Sequence, residues 1–313
     1  MTSQRTWIRS IGTRLGSARV DNVRQAETFG KDAEFLDTRI GARWLPQADD
    51  TETAVTLGEA ASREAIEEAG IAPERIGILI FVSQNPDFGG LPHNSAILQD
   101  RLGLPTSSAC FDVGLGCSGY VYALSIATAM MQALRLDQGL IVTSDQYRAQ
   151  LREGDVNTQM LFGDGATATV LSRDEAELEI VATELGTNGN HASALQRSAN
   201  CIAMNGRTIF GFSRKTVPLA IRQFTERYGL SLDEVDTVLL HQGSRAIVEE
   251  ITKELGLDVT KVPIEMGETG NTVSSSIPFL LKPRLKDCEI KTVLATGFGV
   301  GLSWGTAWMR RTS

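Results

Sequence analysis

Of the four cysteines and three histidines in this 313-residue chain, Cys117 has the setting that most favours nucleophilic chemistry. It follows a β-like run at 109–113 and the turn Gly114-Leu115-Gly116, and an uncharged helical stretch opens directly after it. A sulfur at a helix start lies beside unpaired main-chain N–H groups and the positive end of the helix dipole, which favours a thiolate. The same position suits a buried structural cysteine, and position alone leaves both readings open. His241 ends the strand-like run 235–240, where α/β proteins present residues to a ligand crevice. A satisfied structural histidine fits that place equally well. Asn271 stands in a Gly-rich turn ahead of a run of serines, which loop chemistry alone would explain.

Two rival chemistries use the same residues. Gly114, Gly116 and Gly119 spell G-x-G-x-x-G between a strand and a helix, the context of a dinucleotide site. The motif comes late in the chain, however, and Asp137, about twenty residues on, does not end a following strand. A second loose match at 163–168 is followed by a β-rich run and fails the same test. The cysteines and histidines show no C-x-x-C or H-x-x-x-H spacing, so no metal site is expected.

The elements that must position these residues alternate between β-like and helical, the pattern of an α/β fold. A helix is expected at 53–69 and strands at 76–83, 109–113, 139–144 and 166–171. The second part repeats that order: a strand at 235–240, a small-residue helical run at 273–281, and strands at 292–296 and 302–309. This predicts two halves, 1–175 with Cys117 and 176–313 with His241 and Asn271, facing each other across a site. The stretch 113–134 is uncharged and approaches the length of a membrane span. Its glycines, Ser125 and Thr128 suit a helix buried on all sides at the centre of a large fold, so no membrane is expected. A net charge of −8 argues against a nucleic-acid partner. Arg5, Arg9 and Arg14 precede no apolar leader segment, which points to the cytoplasm and reduced thiols.

Taken in order, DTRIGAR (37–43), FDVGLGCSGYVYAL (111–124), FGDGATATVL (162–171), His241-Gln242, GNTVSSSIP (270–278) and GFGVGLSWG (297–305) span nearly the whole chain. Together they resemble the β-ketoacyl-acyl carrier protein synthase III group of the thiolase superfamily. The resemblance implies a thiolase-like duplicated αβαβα five-layer fold. It implies that Cys117 takes an acyl group from an acyl-CoA or acyl-carrier-protein donor. His241 and Asn271 would bind the thioester carbonyl of a malonyl-type extender carried on acyl carrier protein, and its decarboxylation would give a β-ketoacyl product. The main-chain N–H groups of Cys117 and Val300 would form the oxyanion hole. No cofactor is implied, and a homodimer is, with a loop near Leu91 reaching the partner's site.

Departures from the family pattern concentrate on substrate delivery. Gly243 and Ser244 follow His-Gln where Ala-Asn is usual, and Phe35 replaces a Trp that stacks on the coenzyme A adenine. Arg39 is kept, while a second arginine of that region falls at Ala149, beside Arg148. Basic carrier-docking positions fall at Gly211 and Ala246, with Arg214, Lys215 and Arg245 close by. A one-residue shift on a helix turns a side chain by about 100°, so these neighbours are not automatic substitutes. Leu91 where Phe is frequent would leave more room for an acyl chain. The pattern points to a specialised condensing enzyme. Two other functions remain compatible with it: acyl transfer by Cys117 to an alcohol or amine without decarboxylation, and a non-catalytic partner subunit. The second generally lacks the nucleophile.

Overall fold

The computed structural model describes residues 5–198 and 201–312. In chain order, β1 (Trp7–Leu15) is followed by a small ribbon of β2 (Ala18–Asp21) and β3 (Trp44–Gln47). β4 (Ile76–Val82), β5 (Ala109–Val113), β6 (Gln138–Asp145) and β7 (Gly165–Ser172) complete the first half. The second contains β8 (Leu178–Thr187), a hairpin of β9 (Leu195–Ser198) and β10 (Cys201–Met204), then β11 (Thr237–Leu240), β12 (Thr292–Gly299) and β13 (Ser303–Arg310).

The first half pairs as β5-β4-β6-β7-β1 and the second as β11-β12-β13-β8. Both use the same signs: β4–β6 and β11–β12 are parallel, and the next two pairings from each toward the middle of the sheet are antiparallel. The halves join along a short seam, Trp7 against Glu179 and Ile8 against Leu178. The 175/176 division lies in the turn between β7 and β8.

Helices fill the space between and outside the paired sheets. The Ala54–Ala69 helix begins with a reciprocal Thr53–Thr56 capping box and ends at Gly70 in the left-handed conformation. Its face of Val55, Leu57, Ala61, Ala65 and Ile66 covers β1, β6 and β7 from outside. The Gly119–Leu134 helix lies between the two sheets, touching β4 and β6 on one side and β8, β12 and β13 on the other. A charge there would be stripped of water on two sides, which is why the segment has none. On the far face of the second sheet lie the Gly206–Tyr228 and Arg245–Leu255 helices. The layers therefore run helix, sheet, helix, sheet, helix: the duplicated five-layer α/β arrangement. No helix of the described residues is long and apolar enough to cross a membrane. The 273–281 run is a 3₁₀ turn at Val273–Ser275 followed by a short helix at Ser276–Leu281.

Candidate active site

Cys117, His241 and Asn271 line one cavity of about 200 Å³. The cavity runs from the buried sulfur to an exposed mouth at Arg39 and Asn157, past Phe35, Ile209 and Phe210. Phe35, Arg39, Gly243 and Ser244 all lie in its wall.

The turn before the central helix is built for close approach. A Cβ on Gly116 would stand 2.3 Å from Gln84 Oε1 and 2.9 Å from a Val300 methyl, and one on Gly119 2.5 Å from a Val82 methyl. Packing thus accounts for Gly116 and Gly119 of the dinucleotide-like motif, while a Cβ on Gly114 would meet open space. Opposite, Gly299 at the end of β12 leaves its missing Cβ 2.8 Å from both Cβ and Sγ of Cys117. The chain from β12 therefore runs directly over the sulfur.

Burial pushes the Cys117 thiol up to about 12, and the neighbouring charge of Asp145 adds to the rise. The main-chain N–H groups of Val300 and of Cys117 itself act in the opposite direction. This corrects the expectation of a thiolate stabilised by the helix start: the donors are in place, but desolvation outweighs them. Asp145 is itself pushed up to about 7 by burial, against hydrogen bonds from the Gln84 N–H and the Ser274 and Ser83 hydroxyls. Near neutral pH it is therefore only part-charged, and its effect on the sulfur is weaker than a full charge would give.

The second half holds its groups through hydroxyls. His241 Nδ1 lies 2.7 Å from Ser276 Oγ, which also accepts the Gln242 N–H at 3.4 Å. Burial pulls the imidazole down to about 3, opposed by the Val273 carbonyl, so the ring is neutral. Val273 N–H donates to Asn271 Oδ1 at 2.9 Å, so the amide NH₂ is the donor end; one of its hydrogens reaches the Gly243 carbonyl at 3.4 Å and the other remains for a ligand. Val273 reaches this geometry at φ 54°, a strained region for a β-branched residue. Ser274 donates to Asp145 Oδ2 at 2.9 Å, and Ser275 lies 2.7 Å from Thr143 Oγ1. Three consecutive serines thus tie the Asn271 turn to His241 and to the first half.

Other expected substrate contacts lie elsewhere. Arg148 does not line the cavity: its guanidinium donates to Gln47 Oε1 and to the carbonyls of Gln159 and Phe162. Leu91 is 86% exposed and also stands outside the cavity. Arg214 is held by Glu250 and Glu254 at 2.8 and 3.0 Å, and Arg245 by Glu249 at 3.3 Å, while Lys215 is exposed. Asp145 and the Gly206–Tyr228 helix were not singled out in the sequence, and the run of serines was noted there without a role. Asp145 did carry a signal, since it ends β6 much as His241 follows the end of β11.

A cysteine at the start of a helix between two duplicated halves, faced by an imidazole and a carboxamide, is the arrangement of thiolase-fold acyltransferases. Comparison with known proteins narrows the class. Residues 225–311 match the family described as 3-Oxoacyl-[acyl-carrier-protein (ACP)] synthase III C terminal, and residues 111–189 match 3-Oxoacyl-[acyl-carrier-protein (ACP)] synthase III. A beta-ketoacyl-[acyl-carrier-protein] synthase III of Sphingopyxis alaskensis is 32% identical over 321 residues, covering 98% of this chain and 99% of that protein. One from Rhizorhabdus wittichii is 31% identical with the same coverage, 98% and 99%. The solved 3-oxoacyl-[acyl-carrier-protein] synthase III of Aquifex aeolicus superposes with TM-score 0.91 at 28% identity, covering 97% of this chain and 99% of that one. The chain belongs to the beta-ketoacyl-[acyl-carrier-protein] synthase III family and is an acyltransferase of that kind.

Proposed function

We propose that Cys117 is acylated by an acyl thioester and that the acyl group is then joined to a malonyl-type extender by decarboxylative condensation. The observation that carries this reading is one cavity lined by Cys117, His241 and Asn271, with the Val300 N–H directed at the sulfur. In the first stage Cys117 attacks the donor carbonyl, and its proton ends on the departing thiol. The N–H groups of Cys117 and Val300 hold the tetrahedral oxyanion.

In the second stage the extender carbonyl accepts hydrogen bonds from His241 and Asn271. The Ser276 hydroxyl lies 2.7 Å from His241 Nδ1 and, in this reading, donates its hydrogen there. That places the single ring proton on Nε2, where it can meet the carbonyl. The bond to the carboxylate breaks, CO₂ leaves, and its electron pair becomes an enolate held by two neutral donors. The enolate carbon attacks the Cys117 thioester, and collapse expels the thiolate and releases a β-ketoacyl thioester. The condensation needs no external base, and one proton taken from solvent returns the expelled thiolate to the resting thiol.

The relatives' names refer to acyl carrier protein, which supports a carrier-bound extender here, with an acyl-CoA or acyl-carrier donor. Phe35 and Arg39 at the mouth are the contacts for its arm, and Lys215 and Arg245 contribute to docking. A cytoplasmic homodimer is part of the same reading, with Leu91 turned toward the partner. Intact-mass analysis after incubation with acyl-CoA donors tests the first stage. Wild type should gain one acyl mass and Cys117→Ala none, with turnover down by about 10⁴ or more. An equal adduct on Cys117→Ala would refute the assignment.

A further inference from the structure

Asp145 is fully buried at the end of β6, and neither stage of the reaction uses it. Its carboxyl group collects donors from two separate segments. Oδ1 accepts the Gln84 main-chain N–H at 2.8 Å and the Ser83 hydroxyl at 3.4 Å, both from the turn after β4. Oδ2 accepts the Ser274 hydroxyl at 2.9 Å, and the Ser274 main-chain N–H is directed at the same carboxyl. Cys117 and Tyr147 both feel its charge.

Each segment leads on to a reacting group. Gln84 packs on Gly116, the residue before Cys117. Ser274 follows Val273, whose N–H donates to Asn271 Oδ1 and so fixes which end of that amide faces a ligand. Val273 sits at φ 54°, and a β-branched residue keeps such a conformation only where its surroundings hold it there. Asp145 supplies that hold by taking both donors of the next residue. The place demands a carboxylate, because main-chain N–H groups reach it from both sides and neither can reverse. Asparagine could serve one of them and would turn its NH₂ toward the other. The Ser274 hydroxyl at 2.9 Å can rotate to accept from that NH₂, whereas Ser83 at 3.4 Å is too far. The Ser274 N–H would be the one abandoned.

We propose that Asp145 is a positioning residue for condensation: it holds the strained Val273 turn that aims the Asn271 amide, and it restrains the reactivity of Cys117. The first role serves the second stage and the second role slows the first, so removing the charge should move the two stages apart. The inference rests on the two-stage reading above and adds to it a residue that never touches substrate.

The test reads the two stages and the thiol separately on the full-length protein. Asp145→Asn should slow CO₂ release from a malonyl thioester by about tenfold or more, with acylation of Cys117 at least as fast as in wild type. Its alkylation by iodoacetamide at about pH 8 should rise about threefold or more, because a negative charge near the sulfur is gone. A purely structural residue would leave that rate alone. Ser274→Ala keeps the charge and removes one donor, so CO₂ release should fall several-fold with acylation unchanged. Wild-type CO₂ release in either variant, an equal loss of both stages, or an unchanged alkylation rate in Asp145→Asn overturns the inference. Where Asp145→Asn does not fold, Ser274→Ala decides by the same two rates. Failure of the proposed function would show differently, as acylated wild-type protein that releases no CO₂.

Discussion

The two halves bring turns of similar composition to one cavity and hold them by opposite means. Around Cys117, position comes from side chains that are missing: Gly116 and Gly119 let neighbours close on its turn, and Gly299 lets β12 of the other half cross over the sulfur. On the Asn271 side, position comes from side chains that are present, since Ser274, Ser275 and Ser276 each bond a buried partner. Contact distances are unforgiving in a close-packed interior, whereas one lost hydrogen bond leaves its neighbours in place. Substitutions on the two sides should therefore fail differently.

The largest contrast separates the two stages. His241→Ala or Asn271→Ala should lower condensation by about 10²–10³ while Cys117 still takes an acyl group. Measured by CO₂ release beside intact mass, an equal loss of both stages would erase the division between the halves. Gly299→Ala should do the reverse and slow acylation by about 10², because its Cβ would displace the sulfur. A variant that acylates at the wild-type rate would show that the β12 crossing has slack.

The electrostatics sharpen the same contrast. With the thiol near 12, the thiolate is the minor form below that pH. Alkylation of the resting enzyme by iodoacetamide should rise about tenfold per pH unit through the neutral range. A plateau by about pH 8 would mean that the helix start outweighs burial after all. His241, near 3, is already neutral, so CO₂ release should show no histidine inflection between about pH 5 and 8. The smallest effect belongs to Ser276→Ala, which should slow CO₂ release several-fold and leave acylation unchanged. A change in acylation alone would contradict the tautomer role given to Ser276.

Much of this was legible in the sequence because the strands that matter are continuous apolar runs. β4, β5, β6, β7, β12 and β13 fall within a few residues of where their hydrophobic runs place them. β1 and β8 were not read, and both interrupt their apolar residues with charge: Arg9 and Arg14 in one, Glu179 and Glu184 in the other. Gly206, Gly211 and Pro218 hid the long helix that walls the cavity. Cys117, His241 and Asn271 could be found because each sits at the end of a recognisable element. The state of the sulfur could not, since a dipole argument sees the helix but not the desolvation around it.

Single-turnover stoichiometry tests the central claim most directly. Enzyme loaded on Cys117 is freed of excess donor, mixed with a malonyl thioester, and followed by intact mass and CO₂ capture together. One CO₂ should appear for each acyl group that leaves the protein. Loss of the acyl group without CO₂ would contradict the account and make Cys117 the carrier in a simple acyl transfer.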